Sequence, residues 1–361
     1  MSKAAFHGPL GLPVWAWAAP LAALAVSALE LAHVPLPPLV MAPVLIASVL
    51  AAVHHAEVIA HRIGEPYGTL VLALAVTTIE VALIVSLMIA GGPATTALAR
   101  DTVFAAVMII LNGIIGVCLL VGGIRYREQR FNVDGANAAL TVLGALTVLT
   151  MLLPNVTMTL PGPVYAPSQL AFVALVALIL YLTFVFTQTV RHRDYFLDPD
   201  VVGAPVAPPP AVTAVAAVGL LASALVGVVM IGKALAPTIE AGVAAAGAPV
   251  ALVGVIIAGI VLLPEGMAAV RAARANRLQD SINLALGSAL ASIGLTIPAV
   301  AVVSLAMGVP LTLGLDVKDT QLLVLSLFMA VLSLRTGRTT ILNGVVHLVI
   351  FATYLFIVVV P

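Results

Sequence analysis

Apolar residues run along this chain in long blocks, separated by short polar or Pro/Gly-containing connections. The blocks fall near 13–32, 37–60, 68–91, 102–123, 137–155, 167–190, 212–235, 248–270, 281–307, 320–334 and 340–360. A helix needs roughly 20 apolar residues to cross the hydrocarbon core of a bilayer. The pattern therefore predicts an all-α integral membrane protein of about eleven spans, with breaks short enough to pack the helices in one bundle. The first block follows Lys3 and superficially resembles a secretory signal, but no small-residue cleavage site comes after it. It is expected to be a retained span, with Trp15 and Trp17 at an interfacial aromatic belt.

Composition sharpens this picture. Hydrophobic residues make up 62% of the 361 positions and charged residues 8%, where a soluble domain carries about 25% charged residues. Such a chain cannot cover a water-facing surface. A net charge of zero gives no support to nucleic acid as a partner. The single cysteine, Cys118, excludes a disulfide framework and a cysteine-based metal site.

The basic residues orient the spans. With a cytoplasmic N-terminus, one side holds Lys3, Arg62, the Arg125/Arg127/Arg130 trio and the Arg191/Arg193 pair. The same side takes the Arg271/Arg274/Arg277 trio and the Arg335/Arg338 pair. Only Arg100, Lys233 and Lys318 fall on the other. That asymmetry is what the positive-inside rule predicts, giving N-in, C-out topology in a bacterial inner membrane. The longest polar connection, 191–211, is rich in proline, which favours extended chain. It divides the molecule into a leading helix (1–35), a first five-helix block (36–190) and a second five-helix block (212–361).

The two blocks share a plan. Span 3 carries one acid, Glu80; a connection leads to Asp101, which opens a span containing Asn112, Gly113 and Gly116. Span 8 carries Glu265; a connection leads to Asp280, which opens SINLALGSALASIGLTIPAV. Both aspartates sit where a helix N-terminus favours negative charge. Five spans separate the copies, so the two units cross in opposite directions, as in transporters built from inverted repeats around a midplane ion site.

An acid at the centre of a span costs roughly 2.5–3.5 kcal/mol on insertion scales, so Glu80 and Glu265 are the candidate cation/proton-binding, metal-coordinating residues. Thr77 lies one turn before Glu80, with Thr78 adjacent; Pro264 precedes Glu265 and can free backbone carbonyls. Glu265 stands only six residues before Arg271 and becomes central only if its span is tilted or broken. Ser281, Ser288 and Ser292 line one face of span 9, and Asn112 offers an amide from span 4. These hard oxygen ligands suit Na⁺ or Ca²⁺ rather than soft metals. A proton and a cation compete for the same carboxylate oxygens, the minimum that antiport requires. The competing structural account is that the two acids only tie helices together by hydrogen bonds.

Other polar residues carry weaker signals. HHAEVIAH places Glu57 on one helical face with His54 and His61, either a proton relay or gate, a metal site, or a plain interfacial cluster. His347 shares a face with Asn343 and is expected to make an interhelical hydrogen bond. Rows of glycine at 113, 116, 122 and 123 predict close helix packing.

GEPYGTLVLALAVTTIEVALIVSLMIA (64–90) and LLPEGMAAVRAARANRLQDSINLALGSALASIGLTIPAV (262–300) closely resemble the bacterial ChaA-type calcium/sodium–proton antiporters of the Ca²⁺/cation antiporter superfamily. VHHAEVIAHRIGEPYG, RDTVFAAVMI and LRTGRTTILNGVVHLVIFATYL extend the likeness over nearly the whole chain. The resemblance implies one leading helix plus two inverted five-helix repeats, exchange of cytoplasmic cations for protons, and key acids at Glu80 and Glu265. The vacuolar calcium exchangers of that superfamily carry Gly-Asn before each acid and His after the second. Here those places hold Val76–Thr77, Val261–Leu262 and Gly266, so that branch's ligands do not carry over. Their acidic linker is also reduced to Asp194, Asp198 and Asp200.

The expected function is alternating-access exchange of Ca²⁺ and/or Na⁺, with K⁺ a further candidate, for protons, without a resident cofactor. The rivals are a passive cation channel and an intramembrane metal-dependent enzyme built on His54, Glu57 and His61.

Overall fold

The computed structural model describes residues 8–64, 67–91, 96–197, 208–249 and 251–360. Lys3, Glu65 and Pro66 of the GEPYG stretch, and Asp198 and Asp200 of the linker lie outside the described residues.

In chain order the helices are α1 (Val14–Leu31), α2 (Pro38–Ile63), α3 (Tyr67–Gly91), α4 (Leu98–Tyr126), α5 (Val133–Val156), α6 (Pro167–Arg191) and α7 (Ala211–Ala245). They continue as α8 (Ala251–Val261), α9 (Leu263–Arg274), α10 (Leu278–Met307), α11 (Val317–Leu334) and α12 (Ile341–Val359). Among the described residues, ten helices are long and apolar enough to cross a membrane, and the bent pair of α8 with α9, a broken span or a re-entrant loop, brings the number up to eleven. The eleven apolar blocks thus fall on these ten helices and the bent pair. One end differs: the block expected to stop at 235 continues as helix to Ala245. Lys233, Pro237 and Glu240 interrupt the apolar pattern there, but KALAPTIEAGVAAA is rich in alanine, the best helix former, and the helix runs through Pro237.

The helices gather into two compact units. One comprises Met1–Leu87 and Gly203–Ala245, the other Met88–Val202 and Ala246–Pro361. Each draws helices from both halves of the sequence.

In the first unit α1, α2 and α7 pack through small residues. Gly227 of α7 meets Ala23 of α1, leaving no room for a side chain there, and Gly232 faces the Leu83 side chain of α3. Ser48 of α2 donates to the Ala19 carbonyl at 3.3 Å. Close approach through Gly, Ala and Ser is how helices associate where lipid removes the hydrophobic drive.

In the second unit the same logic joins α4 to α12. Gly116 lies against His347 and Leu348, and Gly344 lies against the Leu120 backbone. Gly123 meets the Ile341 backbone, so the predicted glycine row does serve close packing. Two three-residue strands, β1 (Glu128–Arg130) and β2 (Arg338–Thr340), pair antiparallel in the connections after α4 and α11. They do not alter the all-helical class. On α6, the apolar residues Phe172, Leu175, Ile179, Leu182 and Phe186 recur at helical spacing on an exposed stripe, the reverse of a soluble helix, whose apolar stripe faces the core.

Candidate functional site

In the first unit, Glu80 is the one charged residue of α3 and is 3% exposed. Thr77, one turn earlier, shares its buried face. Thr78 does not: it is exposed and donates its hydroxyl to the Leu74 carbonyl at 2.6 Å. The helix around Glu80 is continuous, so the backbone there is occupied by its own ladder.

The histidine-rich segment of α2 lies in the same unit. His54 is half-buried with its ring 5.2 Å from that of Trp15, whereas Glu57 and His61 are exposed. The fully buried member is His55, a position the sequence did not single out, whose Nε2 lies 2.8 Å from the Ala16 carbonyl of α1. It continues the buried small-residue stripe of Ser48, Ala51 and Ala52, and that stripe was the available signal. Among the described residues, no group of three or more His, Cys, Asp or Glu is placed to hold a metal ion.

The second unit presents its acid differently. Between α8 and α9 the span bends by 55° at a break of a single residue, Leu262. Pro264 stands in the first turn of α9 and has no N–H to offer the carbonyl four residues back. Glu265 therefore sits in the first turn of a new helix, 7% exposed, where unsatisfied N–H groups and the helix dipole favour a negative charge. The break on which the placement of Glu265 depended is present. The far end of α9 is tied down. Tyr126 Oη donates to the Arg274 carbonyl at 2.8 Å, and Gln129 Nε2 donates to the Ala273 carbonyl and to Asn276 Oδ1, both at 3.0 Å. Asn276 closes the helix in the left-handed conformation, φ 60°, which asparagine tolerates.

Asp101 and Asp280 lie in the first turns of α4 and α10, as their spacing predicted. Asp101 pairs with Arg100 at 2.7 Å, and Arg100 also donates to the Gly314 carbonyl. Each of these helices contains a π-helical stretch, Ile109–Ile114 in α4 and Ser292–Thr296 in α10. Such widened turns interrupt the ordinary ladder and recur at functional positions. They fall at matching places after the two acid-bearing helices. Ser292 is buried at the start of its π stretch, with Ser288 half-buried one turn before it.

Asn112, inside the α4 π stretch, is fully buried, and its carboxamide is held within the unit. Nδ2 donates to Ser326 Oγ at 2.8 Å, and Oδ1 lies 3.2 Å from His347 Nδ1. Because an amide oxygen only accepts, the proton sits on Nδ1. In the neutral ring Nε2 then accepts from Ser333 Oγ, 3.2 Å away. His347 thus makes the expected interhelical bond. Asn343 does not join it: its Oδ1 accepts from the Thr340 N–H and caps α12. Ser326 and Ser333, seven residues apart on one face of α11, are partners the sequence reading missed, and that spacing was the signal for them.

A profile of the sodium/calcium exchanger protein family matches residues 38–190 and 216–360, one stretch in each half of the chain. The chain is 49% identical over 361 residues to the putative ionic transporter y4hA of Sinorhizobium fredii (strain NBRC 101917 / NGR234), with 97% of each chain covered. It is 35% identical over 316 residues to the sodium-potassium/proton antiporter ChaA of Escherichia coli (strain K12), covering 86% of this chain and 85% of that one. Two solved structures share the fold. Native YfkE superposes with a TM-score of 0.70 at 19% identity, covering 96% of this chain and 100% of that one. The H⁺/Ca²⁺ exchanger CAX superposes with a TM-score of 0.72 at 17% identity, covering 94% and 87%. Family members are antiporters rather than enzymes, which decides against the intramembrane metalloenzyme and the channel. With its ten to eleven candidate spans and these matches over both halves, the chain belongs to the sodium/calcium exchanger family of the Ca²⁺/cation antiporter superfamily and is a multi-pass secondary transporter.

Proposed function

We propose that the chain moves Ca²⁺ or Na⁺, with K⁺ a further candidate, out of the cytoplasm in exchange for protons by alternating access. Glu80 and Glu265 are the groups over which cation and proton compete, with the N-terminus cytoplasmic. One observation carries this reading: among the described residues, each half of a charge-poor chain buries one glutamate, Glu80 as the one charged residue of α3 and Glu265 in the first turn of α9. Removing a carboxylate from water makes its charged form costly. Either a proton or a cation relieves that cost, and the two cannot occupy the same oxygen lone pairs together. The hydroxyls of Thr77, Ser288 and Ser292 and the amide of Asn112 are the secondary candidates for ion coordination. His54, Glu57 and His61 stand at the end of α2 expected to face the cytoplasm and are candidates for a relay or gate.

The choice of ion rests on ligand number and cavity size. The E. coli relative's name assigns it sodium and potassium, which favours monovalent substrates, and the CAX neighbour's name assigns it calcium. The test is cation-induced proton movement in everted vesicles of an exchanger-deficient bacterial host. Ca²⁺, Na⁺ and K⁺ are added in turn at several pH values. Wild type should collapse the pH gradient with its own ion, while Glu80→Gln and Glu265→Gln at matched expression should not. Mutants that exchange as well as wild type would show both glutamates to be structural.

A further inference from the structure

The bend between α8 and α9 opens an apolar groove of about 480 Å³ on the second unit. Ile109 and Ile114, the two ends of the α4 π stretch, form one wall, and Leu263 and Met267, both exposed, form the other. Two glycines flank the break: a side chain at Gly259 would enter open space, and one at Gly266 would meet Ile114 at 3.3 Å. The missing side chains leave the depression unfilled. Its single charged lining residue is Arg271, exposed and two turns beyond Leu263.

Four of the described arginines are ion-paired, and Arg271 is among those that are not. Arg100 pairs with Asp101, Arg277 with Asp280, and both Arg130 and Arg338 with Glu128. Arg271 has no carboxylate within ion-pair distance among the described residues. An apolar channel at membrane depth offers water few hydrogen bonds, so hydrocarbon fills it at lower cost. One cation at its mouth then selects the headgroup, since basic side chains at the membrane surface attract anionic lipid.

We propose that this groove is a binding site for an anionic glycerophospholipid, with one acyl chain lying across the break at Leu262 and the phosphate on Arg271. The chain replaces the side chains that Gly259 and Gly266 lack and holds the bent form of the span that carries Glu265. The inference requires only that the protein spans a membrane, not the cation assignment above.

The test is native mass spectrometry of the purified, delipidated full chain, reloaded with phosphatidylglycerol or phosphatidylcholine of matched acyl chains. Wild type should retain one phosphatidylglycerol about fivefold more strongly than phosphatidylcholine. Arg271→Gln should lose that preference, Arg271→Lys should keep it, and Gly259→Leu should exclude both lipids from this site. Elution as a single monodisperse species establishes that each variant is folded. Equal retention of both lipids by wild type would mean an uncharged occupant and overturn the headgroup assignment. Undiminished phosphatidylglycerol on Arg271→Gln or Gly259→Leu would place the lipid elsewhere and overturn the site. Because the readout is bound mass, transport can fail without touching this result, and the reverse also holds.

Discussion

The two acid-bearing spans solve one problem in different ways. In α3, Glu80 stands in the middle of an unbroken 25-residue helix whose backbone is occupied by its own ladder. In the second unit, Glu265 begins the 12-residue helix α9 immediately after a 55° bend. Only the second acid stands in the first turn of a helix, where the helix dipole favours negative charge. Glu80 shares its buried face with the Thr77 hydroxyl, while Glu265 lies at a helix start. Matching positions in the two halves therefore differ in their backbone setting. One acid is a fixed post, and the other sits at a joint.

Shortening each acid by one methylene puts this contrast under the largest strain. Glu80→Asp withdraws the carboxylate on a helix that cannot follow it, and exchange should fall about 100-fold, the usual penalty for a misplacement of about 1 Å. Glu265→Asp sits beside a joint that can partly compensate, and about tenfold is expected. Initial rates of cation-dependent proton release in vesicles measure both; equal losses would mean the backbone difference has no functional weight. Next in size is Pro264→Ala, which restores an N–H to the first turn of α9. It should raise thermal stability only modestly, since a first-turn proline is tolerated where an interior one is not, while slowing exchange about tenfold. Faster exchange together with greater stability would remove the break from the mechanism. The smallest effect separates two neighbours: Thr77→Val should raise the half-saturating cation concentration about threefold, the value of a single modest hydrogen bond. Thr78→Val should leave it unchanged, because that hydroxyl is bound to the Leu74 carbonyl.

Much of the fold was legible because membrane spans announce themselves by length and apolarity, and Pro264 announced the break beside Glu265. The extension of α7 to Ala245 was not, because Lys233 and Pro237 look like an end while the alanines between and beyond them keep the helix going. The π stretches were invisible, since a change of hydrogen-bond partner leaves no mark on residue pattern. Asn112 was found as a polar residue of span 4. Its tie to His347, 235 residues away, depends on which helices touch, and no local spacing encodes that. The clamp from Tyr126 and Gln129 onto α9 was hidden for the same reason.

That clamp makes α9 a lever. Fastened at Ala273 and Arg274 and broken at Leu262, the helix is anchored at one end and carries Glu265 near the other, at the tip of an arm about 14 Å long at 1.5 Å per residue. A swing of about 10° carries the carboxylate roughly 2 Å by the same rise. Ion–oxygen bonds span only about 2.3–2.6 Å, so under the role proposed for Glu265 that small arc would make or break coordination. A rocking motion of a few degrees at the anchored end would then gear directly into capture and release of the ion.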